Sequence, residues 1–320
     1  MRQRRAVLFF CADPDKDPVA GHVFEASRRL FPLAETGDEV DGFPVMAHRD
    51  AAGREFVYVR TAEVLSHDYP RYLPALTERF SGFDLACVVN WHEGANAPDN
   101  IFMAHTTGDV VSGQYGPADP ALTTAVLHAI ERTRAEAGLE RYRTVSEATH
   151  WSGVVYGHAP ELLTRYAVPL LDVEIGSGPA CWGDPEAAEV LARALPRVFD
   201  GEPPRRASVL FVGGVHFAPS IRDAVVGDAR RDDLAVSHIL ASHWLVAGGY
   251  GEPGGANKLE ACVRSIAGGV DAIVFHDSLK GPHKATVRAV AERLGVETFN
   301  HRRLRSPEPL ARAQPATTSD

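Results

Sequence analysis

The 320-residue chain is long enough to bury one large hydrophobic core or two modest ones. Its 45% hydrophobic and 23% charged residues are ordinary for a globular protein, and no apolar run reaches the roughly 20 residues that span a bilayer. The formal net charge of −9 counts against a nucleic-acid ligand, because such proteins usually carry a basic surface. It does not exclude one, since pairs such as Arg28-Arg29, Arg205-Arg206 and Arg230-Arg231 could form a local basic patch.

The four cysteines lie far apart and show no paired spacing; they are Cys11, Cys87, Cys181 and Cys262. This usage favours a reducing cytoplasm and argues against a zinc site built from cysteines. The basic first residues precede a short apolar run, 6–11, that lacks a small-residue cleavage site. We therefore expect a first strand there and not a signal peptide, and a cytoplasmic protein.

Short apolar runs alternate with segments of helical periodicity along the chain. The predicted elements are, in chain order, strand 6–11, helix 22–30, strand 55–59, helix 72–80, strands 84–90 and 100–104, helix 121–137, strand 167–177, helix 185–197, strand 207–212, helix 257–267, strand 271–275, helix 287–294 and strand 296–299. This alternation predicts an α/β fold with a mixed, mostly parallel sheet flanked by helices.

The domain organisation is predicted from the same pattern. No internal repeat and no clear shift in composition divides the chain, so we predict a single domain over 1–305, with a possible subdivision near 200–206. The last residues, 306–320, are rich in proline, alanine and threonine, which is typical of a disordered tail.

Polar residues follow three of the predicted strands. Strand 84–90 is followed by Trp91, His92 and Glu93, and strand 100–104 by His105. Ligands gather at the carboxyl ends of strands in open α/β sheets, but for His92 and Glu93 loop polarity is the favoured interpretation. Strand 207–212 ends in the paired glycines of Gly213-Gly214-Val215-His216, which let the backbone approach a ligand closely, and here a functional role is favoured.

The stretch Ser146-Glu147-Ala148-Thr149-His150-Trp151-Ser152-Gly153 places a carboxylate and an imidazole three residues apart. Glu174 adds a second carboxylate near the end of strand 167–177. Such groups suit a site that activates water or binds a metal ion. The alternative is structural: Glu147 caps a neighbouring amide, and His150 is a half-buried histidine with its hydrogen bonds satisfied. These residues alone leave both interpretations open.

Five segments together resemble the D-aminoacyl-tRNA deacylases of the archaeal and plant type, which differ in fold from the bacterial D-tyrosyl-tRNA deacylase. They follow the family's order over about residues 6–300: His105-Thr106-Thr107-Gly108-Asp109, Glu147-Ala148-Thr149-His150, Val173-Glu174-Ile175-Gly176-Ser177, Gly213-Gly214-Val215-His216-Phe217-Ala218-Pro219 and Asp277-Ser278-Leu279-Lys280-Gly281. The resemblance implies a core similar to peptidyl-tRNA hydrolases and purine nucleoside phosphorylases. It also implies zinc-dependent hydrolysis of the ester that joins a D-amino acid to the tRNA 3′ ribose.

The chain departs from the family pattern at three positions. Trp151 stands where the family tends to have a second histidine, and Val215 where it tends to have a third glycine. Phe217 replaces the usual tyrosine. All three changes fall in the predicted site, so the resemblance carries the fold more securely than the activity.

On this basis the metal ligands are expected to be His105, His150 and His216, with zinc as the ion, because imidazole and carboxylate ligands suit zinc. Zinc would lower the pKa of a bound water from 15.7 towards about 7. Glu147 is expected as ligand or general base, and Glu174 as the group that orients a histidine; with His150 they form the predicted catalytic set. The predicted substrate-binding residues are Thr106, Thr107, Trp151, Gly213, Gly214, Phe217 and Lys280.

Three other functions stay open. The net charge and the altered site favour a hydrolase of a small amino-acid-like ester or amide in a biosynthetic pathway. Trp151 in place of a histidine favours a non-catalytic binding protein, although so many potentially buried polar groups argue against it. Fold similarity alone gives a nucleoside phosphorylase-like enzyme, which is an analogy. A serine nucleophile is disfavoured because no glycine-x-serine-x-glycine elbow occurs.

Overall fold

The computed structural model describes residues 3–94, 97–201, 206–306 and 308–310. Its strands are β1 (Arg5–Cys11), β2 (Ala34–Val40), β3 (Phe43–Arg49), β4 (Glu55–Thr61), β5 (Leu85–His92), β6 (Ile101–Thr106), β7 (Gly108–Asp109), β8 (Gln114–Tyr115), β9 (Arg143–Ser146), β10 (Leu170–Gly176), β11 (Ala207–Val212), β12 (Leu234–Leu240), β13 (Ala272–Phe275) and β14 (Glu297–Asn300). Its helices are α1 (Ala20–Leu30), α2 (Tyr69–Arg79), α3 (Pro120–Glu136), α4 (Pro179–Trp182), α5 (Pro185–Ala194), α6 (Pro219–Val225), α7 (Ser242–Ala247), α8 (Gly255–Ser265) and α9 (Gly281–Leu294).

Eight strands form the larger sheet in the order β2-β3-β4-β1-β5-β10-β6-β9. Its central strands β4, β1, β5 and β10 run parallel, whereas β6 is antiparallel to β10 and the hairpin β2-β3 is antiparallel to β4. Helices cover both faces of the centre, so β1 and β10 are buried almost throughout. This is why β1, after Arg5, is a continuous apolar run that does not alternate with polar residues. In β10 two acids, Asp172 and Glu174, are buried among the apolar residues.

A second sheet of four strands, in the order β12-β11-β13-β14, is parallel throughout. Helix α3 packs against strands of both sheets, including β6 and β12. It begins at Asp119, whose carboxylate accepts hydrogen bonds from the amides of Ala121 and Leu122, with Pro120 in the first turn. Because one continuous cluster of buried apolar side chains includes residues from both sheets, the two sheets share a core.

Backbone hydrogen bonds join the two sheets beside the end of β9. The amide of Thr149 donates to the carbonyl oxygen of Ile239 in β12 at 2.8 Å, and the Thr149 hydroxyl accepts from the amide of Ile239 at 2.9 Å. The amide of Ala148 donates to the carbonyl oxygen of His216 at 3.0 Å. The segment that carries Glu147 is thereby attached to the loop that follows β11.

The predicted mixed α/β fold, with a mostly parallel sheet flanked by helices, is confirmed. The elements that were not predicted include the hairpin β2-β3, the strands β9 and β12, and the short elements β7, β8, α4, α6 and α7. The hairpin lies at the sheet edge and β2 is mostly exposed, so it shows no apolar run. In β12 the buried pair Ser237-His238 interrupts the apolar pattern.

Several sequence-based predictions concern residues outside this description. Most of the predicted tail, 306–320, and residues 202–205 of the predicted subdivision lie outside the described residues. The single domain and the cytoplasmic location therefore stay predictions. The four cysteines are buried and unpaired. Among the described helices, none has the length and apolar character required to cross a bilayer.

Candidate active site

Three adjacent strands of the large sheet place polar side chains on one face. Asp172 and Glu174 are two residues apart on β10, so both point to the same side. In the antiparallel register His105 on β6 pairs with Asp172, and in the parallel register Asn90 and His92 on β5 pair with Glu174 and Gly176. The end of the sheet thus carries two carboxylates, two imidazoles and an amide.

A second group of residues reaches this face from the junction of the two sheets. Glu147 follows β9, His150 pairs with Thr107 in a parallel bridge, and His216 follows β11. The hydrogen bond between Ala148 and the His216 carbonyl brings Glu147 and His216 together although they are 69 residues apart in sequence. Tertiary pairing therefore assembles the cluster.

Glu147 lies at the centre of the cluster. Its Oε1 is 2.5 Å from His216 Nε2 and 3.3 Å from His92 Nε2, and its Oε2 is 3.9 Å from His105 Nε2. Glu174 Oε1 lies 3.5 Å from the same His105 nitrogen. Two sets of ligand atoms, each within 4.8 Å of one another, consequently share Glu147: His92, Glu147 and His216, and His105, Glu147 and Glu174.

Hydrogen bonds at the opposite ring nitrogens orient two of the imidazoles. The Nδ1 atom of His105 donates to the carbonyl oxygen of Thr106 at 3.1 Å, and that of His150 donates to the carbonyl oxygen of Ala148 at 2.9 Å. In the neutral ring each Nε2 then keeps its lone pair, as a metal ligand requires. His105 Nε2 and Glu147 Oε2 are buried without a hydrogen-bond partner, which is costly unless an ion or a solvent molecule binds them.

The charges of the cluster are strongly coupled. Burial alone would raise the pKa of Glu147, but His105, His150 and the other imidazoles outweigh it and hold that pKa well below its usual range. Burial raises the pKa of Glu174 to about 7 and also raises the pKa of Asp172. Burial opposes protonation of His105, yet the neighbouring carboxylates raise its pKa to about 10. The carboxylates therefore stabilise a positive charge at His105.

His150 behaves differently from His105 although the two rings are stacked with centroids 3.9 Å apart. Burial, reinforced by the positive charge at His105, lowers the pKa of His150 to about 3. His150 is thus a neutral imidazole at physiological pH, with its Nε2 lone pair available. The indole of Trp244 lies over its ring, with centroids 5.7 Å apart.

The cluster forms the floor of a cavity of about 500 Å³, a size typical of small-molecule sites. Three buried carboxylates face this space, and the described residues that line it include no lysine or arginine. Their charge must be balanced by a proton on an imidazole or by a metal ion. Because the available donors are imidazole nitrogens and carboxylate oxygens, the residues fit a divalent ion such as zinc.

The structure brings six of the predicted site residues to this cavity: Glu147, His150, Glu174, His105, His216 and Phe217. The interpretation of His92 as loop polarity is wrong, since His92 is 8% exposed and its Nε2 faces Glu147. Asp172 and Asn90 were also missed. The sequence pattern that could have predicted them is a spacing of two residues, Asp172 from Glu174 and Asn90 from His92. In a strand this spacing places both side chains of a pair on the same face.

Three predicted substrate-binding residues do not line the cavity and require correction. Trp151 is 2% exposed and packs edge-on against Tyr69, with ring centroids 5.3 Å apart, in an apolar cluster behind the site. The hydroxyl of Thr106 is bonded to Thr149 and that of Thr107 to a backbone carbonyl. All three residues are at most 2% exposed, and none of them lines the cavity.

Gly213, Gly214 and Lys280 also lie outside the cavity lining. Both glycines have positive φ, +100° and +81°, and form the turn that leads to His216. A Cβ atom at Gly213 would lie 3.1 Å from the Cβ of His276, so the turn requires glycine there for space as well as conformation. Lys280 is exposed and precedes α9. The glycines therefore position His216, and their contact with substrate stays a prediction.

Known proteins resemble this chain in sequence and in fold. Residues 79–299 match the family model described as D-aminoacyl-tRNA deacylase. The chain belongs to the D-aminoacyl-tRNA deacylase family. The resemblance inferred from the five sequence segments is thereby confirmed.

Curated relatives come from archaea. The D-aminoacyl-tRNA deacylase of Natronomonas pharaonis is 28% identical over 290 residues, which cover 89% of this chain and 58% of the relative. That of Haloarcula marismortui is 34% identical over 181 residues, or 52% of this chain and 36% of the relative. This chain thus spans less than two thirds of the length of these relatives.

One solved structure supports the fold. The crystal structure of AF0625, a conserved protein of unknown function, superposes with a TM-score of 0.75 and covers 97% of this chain and 99% of that one. Its sequence identity to this chain is 18%, so the likeness concerns the fold alone.

Proposed function

We propose that this member of the D-aminoacyl-tRNA deacylase family is a metal-dependent hydrolase of the ester between a D-amino acid and the 3′ ribose of tRNA. The observation that carries the proposal is the buried Glu147 carboxylate, shared by two sets of imidazole and carboxylate ligands on the floor of a cavity. The names of the relatives supply the substrate class.

The residues that would hold the metal differ from those expected from the sequence. His92, Glu147 and His216 form one set, and His105, Glu147 and Glu174 form the other, so the Glu147 carboxylate belongs to both sets. His150 belongs to neither set but faces the same cavity. Zinc is the proposed ion because it accepts mixed nitrogen and oxygen donors and activates water at neutral pH.

A divalent ion bound there supplies a Lewis acid for attack on the ester carbonyl. The protein's own groups move the proton. Asp172 lines the same cavity and belongs to neither set of ligands, so its carboxylate stays available for proton transfer. We propose that the Asp172 carboxylate takes the proton from the attacking water and returns it to the leaving ribose oxygen. Asn90 orients Asp172 by donating to its Oδ1 at 3.0 Å.

The alternatives have less support. A non-catalytic binding protein would have no use for buried carboxylates and imidazoles without hydrogen-bond partners, which cost stability. A phosphorylase must bind phosphate, and the described lining contains carboxylates without a lysine or arginine. Hydrolysis of a small amino-acid-like ester uses the same floor of the site, and the net charge of −9 favours it.

The test measures release of D-tyrosine and L-tyrosine from charged tRNA, together with zinc content. We expect preferential release of the D-amino acid, loss of activity on chelation and recovery on addition of zinc. The D-tyrosine methyl ester is the comparison substrate. Turnover that survives complete removal of metal would refute metal dependence, and turnover confined to the methyl ester would favour the small-ester hydrolase.

A further inference from the structure

Three aromatic rings line the same cavity as the carboxylates. The rings of His67 and Tyr156 are stacked, with centroids 3.9 Å apart and an interplanar angle of 22°. The Trp91 ring meets His67 edge-on at 5.8 Å. All three residues line the cavity whose floor carries the imidazole and carboxylate cluster.

The outer member of this stack is exposed. Tyr156 is 51% exposed and its neighbour Val155 is 83% exposed, and neither belongs to the buried apolar clusters of the fold. Packing of the core therefore does not account for an aromatic ring at this position. An exposed aromatic ring beside a polar cavity is typical of a surface that binds a flat ligand.

Hydrogen bonds hold the two loops of the stack together. His158 Nε2 donates to the carbonyl oxygen of His67 at 2.7 Å, and the hydroxyl of Ser152 donates to that of Ser66 at 2.8 Å. The amide of Tyr156 donates to the carbonyl oxygen of Gly153 at 3.1 Å. The ring surface is thus ordered before a ligand arrives, which reduces the entropy cost of binding.

We propose that the exposed face of Tyr156, backed by His67, stacks against the adenine of the 3′-terminal nucleoside that carries the aminoacyl ester. This inference rests on the proposed function and names the part of the substrate that the stack binds. Proteins commonly bind unpaired bases of RNA by stacking them on aromatic side chains.

The position of the stack selects the base over the amino-acid side chain. The terminal nucleoside must remain connected to the body of the RNA, so its base suits the half-exposed ring of Tyr156. The described lining of the cavity includes no lysine or arginine that could bind phosphate groups, so the phosphodiester chain has no cationic partner inside the cavity. Only the ester and its acyl group then need to reach the floor.

The first experiment measures binding of adenosine to the zinc-loaded full chain by calorimetry, with ribose as the probe that lacks a base. We expect Tyr156→Ala to weaken adenosine binding roughly 5- to 150-fold, the range found for loss of one base–aromatic stack. Tyr156→Phe, which keeps the ring, should bind adenosine within about twofold of the unaltered protein. Val246→Ala, at an exposed apolar position on α7, is the matched control and should bind normally.

The second experiment compares hydrolysis of 3′-O-D-tyrosyl-adenosine with hydrolysis of D-tyrosine methyl ester. Tyr156→Ala should raise KM for the adenosine ester by the same factor as the adenosine dissociation constant and leave the methyl ester unaffected. Circular dichroism and the midpoint of thermal unfolding verify that the Tyr156→Ala variant is folded. If it is not folded, His67→Ala removes the other ring of the stack and replaces it in the test.

The outcomes separate the two proposals. Equal losses on both esters would assign Tyr156 to the acyl group and overturn the inference, as would undetectable adenosine binding or adenosine binding indifferent to Tyr156. If adenosine binding depends on Tyr156 and neither ester nor charged tRNA is hydrolysed, the proposed function fails and the base-stacking surface remains.

Discussion

At the scale of single residues, Glu147 is the group on which the site depends. It is 2% exposed and lies within 4 Å of ring nitrogens of His92, His105 and His216, yet its Oε2 has no hydrogen-bond partner. A buried carboxylate in such surroundings stays ionised because imidazoles or metal ions surround it. Its negative charge is therefore the property to remove in a test.

Glu147→Gln keeps the shape of the side chain and removes its charge. Since both proposed ligand sets include this carboxylate, we expect loss of tightly bound zinc. We also expect a fall in kcat/KM larger than the roughly 10- to 100-fold typical of groups that only orient a ligand. Metal content and ester hydrolysis measure the effect, and Glu93→Gln, an exposed carboxylate at the same cavity, is the matched control. Full zinc content in the Glu147 variant would contradict the proposed ligand sets.

At the scale of elements, hydrogen-bonded side chains between β6 and β12 connect the two sheets behind the site. The Thr149 hydroxyl accepts from the Ile239 amide, so it donates to Thr106, and Thr106 donates to Nδ1 of His238. His238 Nε2 then donates to Ser265. His238 can accept at Nδ1 and donate at Nε2 at the same time only if its imidazole is neutral.

Acid should therefore destabilise the junction between the sheets. Burial lowers the pKa of His238 from 6.5 to about 3. Between these two values the unfolded chain binds the proton and the folded chain does not, so the free energy of unfolding falls as the pH falls. One such group contributes a slope of at most about 1.4 kcal/mol per pH unit.

His238→Gln, which cannot titrate, isolates this contribution. The variant should be less stable than the unaltered protein at pH 7, because glutamine does not reproduce the imidazole geometry. Its free energy of unfolding should fall less steeply between pH 6.5 and 4, as measured by urea denaturation at each pH. Other buried histidines, such as His128 with its pKa lowered to about 4, act equally on both proteins. Parallel pH profiles would contradict the assignment.

At the scale of the whole molecule, the negative net charge of the protein opposes binding of the negatively charged tRNA that we propose as substrate. Under the proposed function, a chain with a formal charge of −9 and no lysine or arginine in the described cavity lining would bind its tRNA substrate with few phosphate contacts. The stacking surface at Tyr156 and His67 offers an alternative source of affinity, because stacking on a base is not opposed by the negative charge of the protein.

The salt dependence of turnover measures the number of phosphate contacts. Raising salt from 50 to 200 mM should lower kcat/KM for D-tyrosyl-tRNA by less than about tenfold, whereas 6–10 phosphate contacts would produce losses of about 10³–10⁵. Hydrolysis of D-tyrosyl-adenosine, which has no phosphate, should be insensitive to salt. A steep loss for the tRNA would place a strongly basic surface next to the site and contradict a recognition mode based on the terminal nucleoside.

The amino-acid sequence was sufficient for the α/β class, for most of the central strands and for five of the seven ionisable groups of the cluster. Strands such as β1 and β5 are buried on both faces, and their apolar runs distinguish them from the helices. The five groups were recognised because each belongs to a segment of the family pattern. Edge strand β2 is mostly exposed and the apolar run of β12 is interrupted by Ser237-His238, so both escaped prediction.

Tertiary structure alone decided which side chains face the cavity. His92 and Asp172 join the cluster through strand register, and Trp151 leaves it because its indole packs against Tyr69 in the core. A sequence records the order of residues along the chain, whereas a site that shares one carboxylate among three histidines depends on distances set by pairing between strands and by contacts between two sheets.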